Sequence, residues 1–221
     1  MENNILYSEK FKKFDTKRDP FRPYGLTCEL WKPSLMEKPD RHNEIEINYF
    51  TEGSITYLFR GLKTTIPKNS FALFWGLVPH QIVSYEESVP YYVCTIPLTQ
   101  FLEWNLPLFY VDRVLKGEVL IENSGEQSMY DEFLLKNWIA DLGAKNVSDI
   151  VLLEMHARLL RMVDKVLPKK GNEGSQIHSS EIGHVEQIAM YIAQNYSRPL
   201  KAADIGKEVG LHPDYANVVF K

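Results

Sequence analysis

The sequence predicts an α+β protein with its sheets first and its helices last, and three observations carry that reading. Over the first hundred residues apolar and polar side chains alternate with the two-residue period of β-strands. From about residue 128 the period becomes that of amphipathic helices, and residues 202–221 read as a helix, a glycine turn and a second helix. The 221 residues suffice for one larger and one small domain.

The strands are expected at residues 26–32, 44–50, 54–60, 70–75 and 90–97, all rich in Tyr, Phe, Ile, Val and Thr. Turn pairs such as Glu52-Gly53, Arg60-Gly61 and Lys68-Asn69 separate them, and short strands at this spacing form a sandwich or a barrel. Helices are expected at residues 128–142 and 147–167, the second with Ser148 as its N-cap. The run Pro168-Lys169-Lys170-Gly171-Asn172-Glu173-Gly174-Ser175 breaks every period and has the composition of a linker. Beyond it Ile182, Val185, Ile188, Ala189, Ile192 and Tyr196 mark one more amphipathic helix. The expected division is residues 1–105 as a β domain, 106–168 as a helical segment, 169–180 as a linker and 181–221 as a helical module.

The last module combines apolar residues at Leu200, Ile205 and Val209 with Gly210, where a tight turn needs positive φ, and Pro213 at the start of the next helix. Tyr215, Ala216, Val219 and Phe220 form that helix's inward stripe. Asp214, Asn217, Val218 and Lys221 point outward, where a helix reads a DNA major groove. A plain helical hairpin shows the same pattern.

Composition narrows the class further. Hydrophobic residues make up 44% and charged residues 24%, and no apolar run reaches the ~20 residues of a membrane span. The N-terminus lacks the basic start and apolar core of a signal peptide, so a cytoplasmic protein is expected. The net charge of −4 argues against a protein that coats nucleic acid without specificity. Cys28 and Cys94 lie far apart with no CxxC spacing, and read as buried inert thiols rather than a disulfide framework or zinc site.

Residues 200–221, with Gly210-Leu211, Tyr215 and Phe220-Lys221, resemble the first helix-turn-helix of the arabinose-regulator (AraC/XylS) family of bacterial transcription regulators. Upstream, Phe74-Trp75-Gly76-Leu77-Val78-Pro79-His80-Gln81 and His42-Asn43-Glu44-Ile45-Glu46-Ile47-Asn48 are similar to the sugar-responsive melibiose type within it. The family's DNA-binding module contains two helix-turn-helix units, of which this sequence carries the first. Lys201 replaces the usual Thr or Ser cap and Gly206 the usual Ala. The resemblance implies a cupin-like β-barrel, a double-stranded β-helix, followed by helices and a partial helix-turn-helix module that binds DNA weakly or not at all by itself. A cytoplasmic homodimer, with operator DNA and a small saccharide as its partners and no membrane, is implied as well.

On a strand, His42, Glu44, Glu46 and Asn48 share one face, while Asn43, Ile45, Ile47 and Tyr49 share the other. Periodicity alone suits an exposed polar face. The cupin resemblance turns that face inward and adds His80 from the Pro79-His80 pair. A sugar sensor would use these residues as hydrogen-bonding groups, with Trp31, Trp75 or Trp104 stacking on the sugar. No cofactor is expected under that reading. A metal-dependent cupin enzyme acting on a sugar or small acid would instead use His42, Glu46 and His80 to hold a divalent metal, with Glu44 where a second histidine is usual. A third reading is a module that only dimerises. For the dimer, Ile150, Leu153, Leu160 and Met162 are the expected antiparallel seam.

Overall fold

The structure, a computed structural model, describes residues 11–144, 148–166 and 199–212, together with residues 187, 188, 191, 192 and 195. Eight strands form two antiparallel sheets. They are β1 (Thr27–Trp31), β2 (Glu44–Phe50), β3 (Ser54–Phe59), β4 (Leu62–Pro67), β5 (Ser70–Trp75), β6 (His80–Tyr85), β7 (Tyr91–Pro97) and β8 (Leu120–Asn123). The larger sheet has the order β1-β7-β2-β5-β8 and the smaller β4-β3-β6. The helices are α1 (Leu98–Glu103), α2 (Leu108–Leu115), α3 (Ser128–Gly143), α4 (Ser148–Lys165) and α5 (Ala202–Glu208).

The cupin-like barrel expected from the resemblance is not closed. The two sheets are held face to face by side chains, and among the described strands no ladder joins one sheet to the other. Phe50, Ile55, Tyr57, Phe59, Ile66, Phe74, Ile82 and Val93 fill the space between them, so apolar packing does the work that backbone pairing does in a barrel. β4, β6 and β8 were not anticipated as strands. β4 is short and mostly exposed with Lys and Thr outward. The turn before it, Arg60-Gly61, has φ of 46° and 86°, the twist that a two-residue hairpin requires. β8 lies inside the stretch expected to be helical and pairs with the edge of β5 from Ser70↔Asn123 to Leu73↔Leu120.

β2 explains how the layers are ordered. All seven of its residues are buried, because both of its faces are covered. Ile45, Ile47 and Tyr49 pair with Trp75, Leu73 and Phe71 on one side and with Ile96, Cys94 and Tyr92 on the other. These odd-numbered positions form one apolar surface, and α1 to α4 pack onto it through Phe101, Tyr110, Leu134, Leu135, Trp138, Val151, Met155 and Leu159. The even-numbered face, with Glu44, Glu46 and Asn48, is thereby turned toward the smaller sheet.

α4 is anchored by charge as well as by apolar packing. Arg158, 1% exposed, donates from Nε and Nη2 to Asp131 of α3 at 2.6 and 3.0 Å, and from Nη1 to Glu122 of β8 at 2.8 Å. Its guanidinium lies 4.2 Å from the Phe71 ring of β5. Lys165 reaches the other Glu122 oxygen at 2.9 Å, and Ser124 donates to Asp131 at 2.5 Å. Of the expected dimer seam, Ile150, Leu153 and Leu160 are exposed, but Met162 is fully buried. It turns inward, where the Tyr110 hydroxyl meets its sulfur at 3.4 Å.

α5 begins at Lys201, extended and without a side-chain cap. It ends at Gly210 with φ of 70°. The Leu211 amide donates to Gly206 O at 2.7 Å and the Gly210 amide to Lys207 O at 3.4 Å, the paired bonds of a Schellman stop. Residues 213–221, which include Asp214, Asn217, Val218 and Lys221, lie outside the described residues, as do residues 167–186 with the expected linker. None of the described helices is long and apolar enough to cross a membrane.

Replacing Arg158 by Met leaves the buried Asp131 without its counter-ion and Glu122 with Lys165 alone. The expected loss is about 3–5 kcal/mol of unfolding free energy, read from urea titrations of the two proteins.

Candidate functional site

The even-numbered face of β2 and its lead-in assemble a buried charged cluster. His42 is fully buried and donates from Nδ1 to Glu44 at 3.1 Å and from Nε2 to Glu46 at 2.9 Å. Burial opposes a charge on this imidazole, but the two carboxylate hydrogen bonds outweigh it and raise its pKa to about 9. The same bonds hold Glu44 and Glu46 below the ordinary carboxylate range against the pull of burial. The His42 ring lies directly on Gly76, where a Cβ would stand 2.1 Å from the ring Cε1. No residue with a side chain fits there unless the ring moves.

Each carboxylate carries a second load. Glu44 accepts the Gly25 amide at 2.9 Å and so ties the approach to β1 onto β2. Glu46 accepts from Asn48 at 2.7 Å, and Asn48 accepts from the Tyr57 hydroxyl of β3 at 3.2 Å. A continuous polar chain therefore crosses from one sheet to the other.

Three further residues complete the cluster. Asp40 accepts from Arg18 and from the Tyr24 hydroxyl, both at 2.8 Å. Burial of Asp40 is outweighed by the facing histidines, Tyr24 and Arg18, and its carboxyl is held low. His80 donates from Nδ1 to Val78 O at 2.9 Å. Burial, together with the His42 charge, moves the His80 pKa down despite the nearby Glu46. This ring is neutral with its lone pair on Nε2, which lies 3.8 Å from the Glu46 carboxylate. Three carboxylates, Asp40, Glu44 and Glu46, thus face two cations, Arg18 and His42, and the cluster keeps one negative charge in excess.

The cluster forms the floor of a narrow, partly open cleft. Asp40, Glu46 and His80 line it, with Tyr24, Trp31, Tyr57, Tyr91, Met36 and Ile82 as walls and Lys32 at the rim. Trp31 stands edge-on to Tyr24 with centroids 6.0 Å apart, and its buried Nε1 has no hydrogen-bond partner among the described residues.

His42, Glu44, Glu46, Asn48, His80 and Trp31 therefore come together at the cleft or directly beneath it. Trp75 does not. It is fully buried on the odd-numbered face, in the core under the helices, because it pairs with Ile45 rather than with Glu46. Trp104 is also remote from the cleft and stacks on His156 at 5.2 Å. Asp40, Arg18 and Tyr24 were not anticipated. Asp40 continues the even-numbered series backward from His42, a signal present in the sequence, whereas Arg18 and Tyr24 come from an irregular segment without any period.

Asp40, His42 and His80 bring one potential metal-ligand atom each to within 4.8 Å of one another. The donor set does not fit a bound cation as it stands. Both His42 nitrogens are committed as donors to carboxylates, and one Asp40 oxygen is bonded to Arg18 and the other to Tyr24. Of these three residues, His80 alone presents an uncommitted lone pair, on Nε2.

His42 also links folding to pH. Its pKa is raised from 6.5 to about 9, so its contribution is fully present below pH 6.5 and is lost as the pH rises through about 9. The expected result is an unfolding free energy that declines across this interval and a flatter profile in His42→Gln, measured by urea titration at a series of pH values.

Comparison with known proteins places this architecture. No protein-family model matches the chain. The melibiose operon regulatory protein of Escherichia coli (strain K12) is 25% identical over 216 aligned residues, covering 92% of this chain and 71% of that protein. Among solved structures, the AraC-like transcriptional activator CuxR matches with a TM-score of 0.51 and 14% identity, over 78% of this chain and 58% of that one. The chain thus spans less than two thirds of CuxR, and that likeness concerns the fold. ToxT K231A from Vibrio cholerae strain SCE256 matches at a TM-score of 0.48 and 11% identity, over 91% of this chain and 76% of that one. The chain is thus similar in sequence to the melibiose operon regulatory protein and similar in fold to the AraC-like activator CuxR.

Proposed function

We propose that this chain is the effector-sensing part of a DNA-binding transcription regulator and that its cleft binds a small neutral saccharide. The observation that carries the reading is the pair of acceptors on the cleft floor. His80 Nε2 and the Glu46 carboxylate stand 3.8 Å apart with no proton between them. A ligand that donates O–H groups satisfies both, and a hydrogen bond to a charged acceptor contributes about 1.5–3 kcal/mol. The Asp40 and Glu46 carboxylates on the floor oppose an anionic group placed against them, although Lys32 stands at the rim. Trp31 and Tyr24 add aromatic surface for the apolar face of a sugar ring. The name of the melibiose regulator supports a saccharide, and operator DNA as the partner of the helix-turn-helix module follows from the same likeness.

A metal-dependent enzyme on the same scaffold has one observation in its favour, the convergence of Asp40, His42 and His80. It requires His42 to surrender a proton that two carboxylates hold.

The protein is expected to act as a homodimer through α4. Ile150, Leu153, Ala157 and Leu160 fall at three- and four-residue spacing on its solvent side, the seam of an antiparallel helix pair.

Two experiments test these readings. Thermal unfolding of chelator-treated protein against neutral galactosides, glucosides and pentoses, with sugar acids and phosphates alongside, is expected to show a selective rise with one neutral class. A ligand at one hundred times its dissociation constant stabilises by about 2.7 kcal/mol, and His80→Leu should abolish the response. Silence toward every sugar, with a rise on adding divalent metal, transfers the assignment to the enzyme. For the dimer, Leu153→Lys combined with Leu160→Lys is expected to halve the mass found by light scattering, and an unchanged mass refutes the seam.

A further inference from the structure

Cys28 and Cys94 are 66 positions apart in sequence, as the hydrogen bond between them spans, yet they are cross-strand partners. Cys28 of β1 lies directly opposite Cys94 of β7 in the antiparallel register, and the two sulfurs are 3.1 Å apart. Both are free thiols, 4% and 0% exposed. Directly opposed antiparallel residues have Cα separations of about 4.5–5.5 Å, inside the range that a disulfide spans. Both are buried and unlinked, as the sequence suggested, but their direct opposition across β1 and β7 was not anticipated. Alternation along two separate strands brings them to the same face, and the strand register aligns them.

We propose that Cys28 and Cys94 are an oxidation site, a preorganised dithiol that hydrogen peroxide converts into an intramolecular disulfide between β1 and β7. β1 is the edge strand of its sheet, and Cys28 is the less buried of the two. Burial and the neighbouring Cys28 push the Cys94 thiol well above its ordinary range, and the edge-strand position and greater exposure of Cys28 make it the sulfur that peroxide reaches first. The Cys28 thiolate attacks one peroxide oxygen, the O–O bond breaks, and the departing hydroxide takes a proton to become water. Cys94 sulfur then attacks the resulting Cys28 sulfenic acid. The S–S bond forms, the S–O bond breaks, and a second water leaves with the Cys94 proton. Two thiols lose two electrons in total, and one peroxide is reduced to two waters.

The product has structural consequences on both faces of the sheet. Cys28 now points its S–H at the Leu135 carbonyl of α3, 3.6 Å away, and the disulfide removes that donor. On the opposite face the same two strands supply Thr27, Trp31, Tyr91 and Thr95 to the cleft, so the covalent link fixes the spacing of one cleft wall.

The test uses the whole reduced chain in native buffer. It is treated with millimolar hydrogen peroxide, quenched with catalase, unfolded in the presence of an alkylating agent and analysed by intact mass and non-reducing peptide mapping. The expected result is a monomeric chain lighter by two hydrogens, unalkylated, with the Cys28 and Cys94 peptides joined and restored to two alkylatable thiols by reductant. In Cys94→Ala the link is absent and Cys28 gains oxygen instead. The proposal is overturned if the wild-type thiols both remain alkylatable, if they gain oxygen without joining, or if the link runs between chains.

Discussion

The His42 imidazolium, clamped between Glu44 and Glu46 and laid flat on Gly76, is the constraint from which much of the sandwich follows. Two carboxylates on one buried strand face repel each other and resist desolvation unless a cation stands between them. His42 supplies that cation from the same strand's lead-in. Once it is in place, Glu44 has an oxygen to spare for the Gly25 amide and Glu46 one for Asn48, so β1 and the smaller sheet are drawn to β2 by the same charge cluster. The ring's flat contact with the backbone at residue 76 sets how closely β5 and its following turn approach. A polar centre of this kind is directional in a way that the surrounding Phe and Ile side chains are not.

The second charged centre, around Arg158, has the same logic at the other side of the larger sheet. One guanidinium satisfies Asp131 and Glu122 while resting on Phe71, so a helix, a second helix and two neighbouring strands share one fixed point. The core beneath the helices is otherwise apolar and tolerant of sliding. Arg158 removes that freedom for α4, the helix whose solvent side carries Leu153 and Leu160. Arg158 thereby ties α4 to α3, β5 and β8 through contacts of set direction.

The parts of the fold that were legible in the sequence are those with a strong period. The alternation of residues 42–49 separated the cluster face from the core face, and the apolar periods of α3 and α4 announced both helices. β4 and β8 escaped notice because one is mostly exposed and polar and the other is only four residues long, too short for alternation to register. Strand spacing allowed a sandwich or a barrel, and only the resemblance favoured the barrel, because hydrogen-bond closure between sheets leaves no mark in side-chain alternation. Within the site, Asp40 lay in plain phase with His42. Arg18 and Tyr24 did not, since coil residues reach a site by tertiary packing alone. Trp75 shows the opposite error. An aromatic adjacent to a motif residue in sequence points to the opposite face of the sheet.

The division of labour around the cleft has an evolutionary corollary. The groups that hold the sandwich together, His42, Glu44, Glu46 and Gly76, come from β2, its lead-in and the end of β5. Part of the cleft wall, Trp31, Lys32 and Met36, comes instead from β1 and the irregular stretch after it. Substitutions at these wall positions change the shape of the cleft without removing a charge from the cluster, so the lining and the charged scaffold are free to diverge along separate mutational paths.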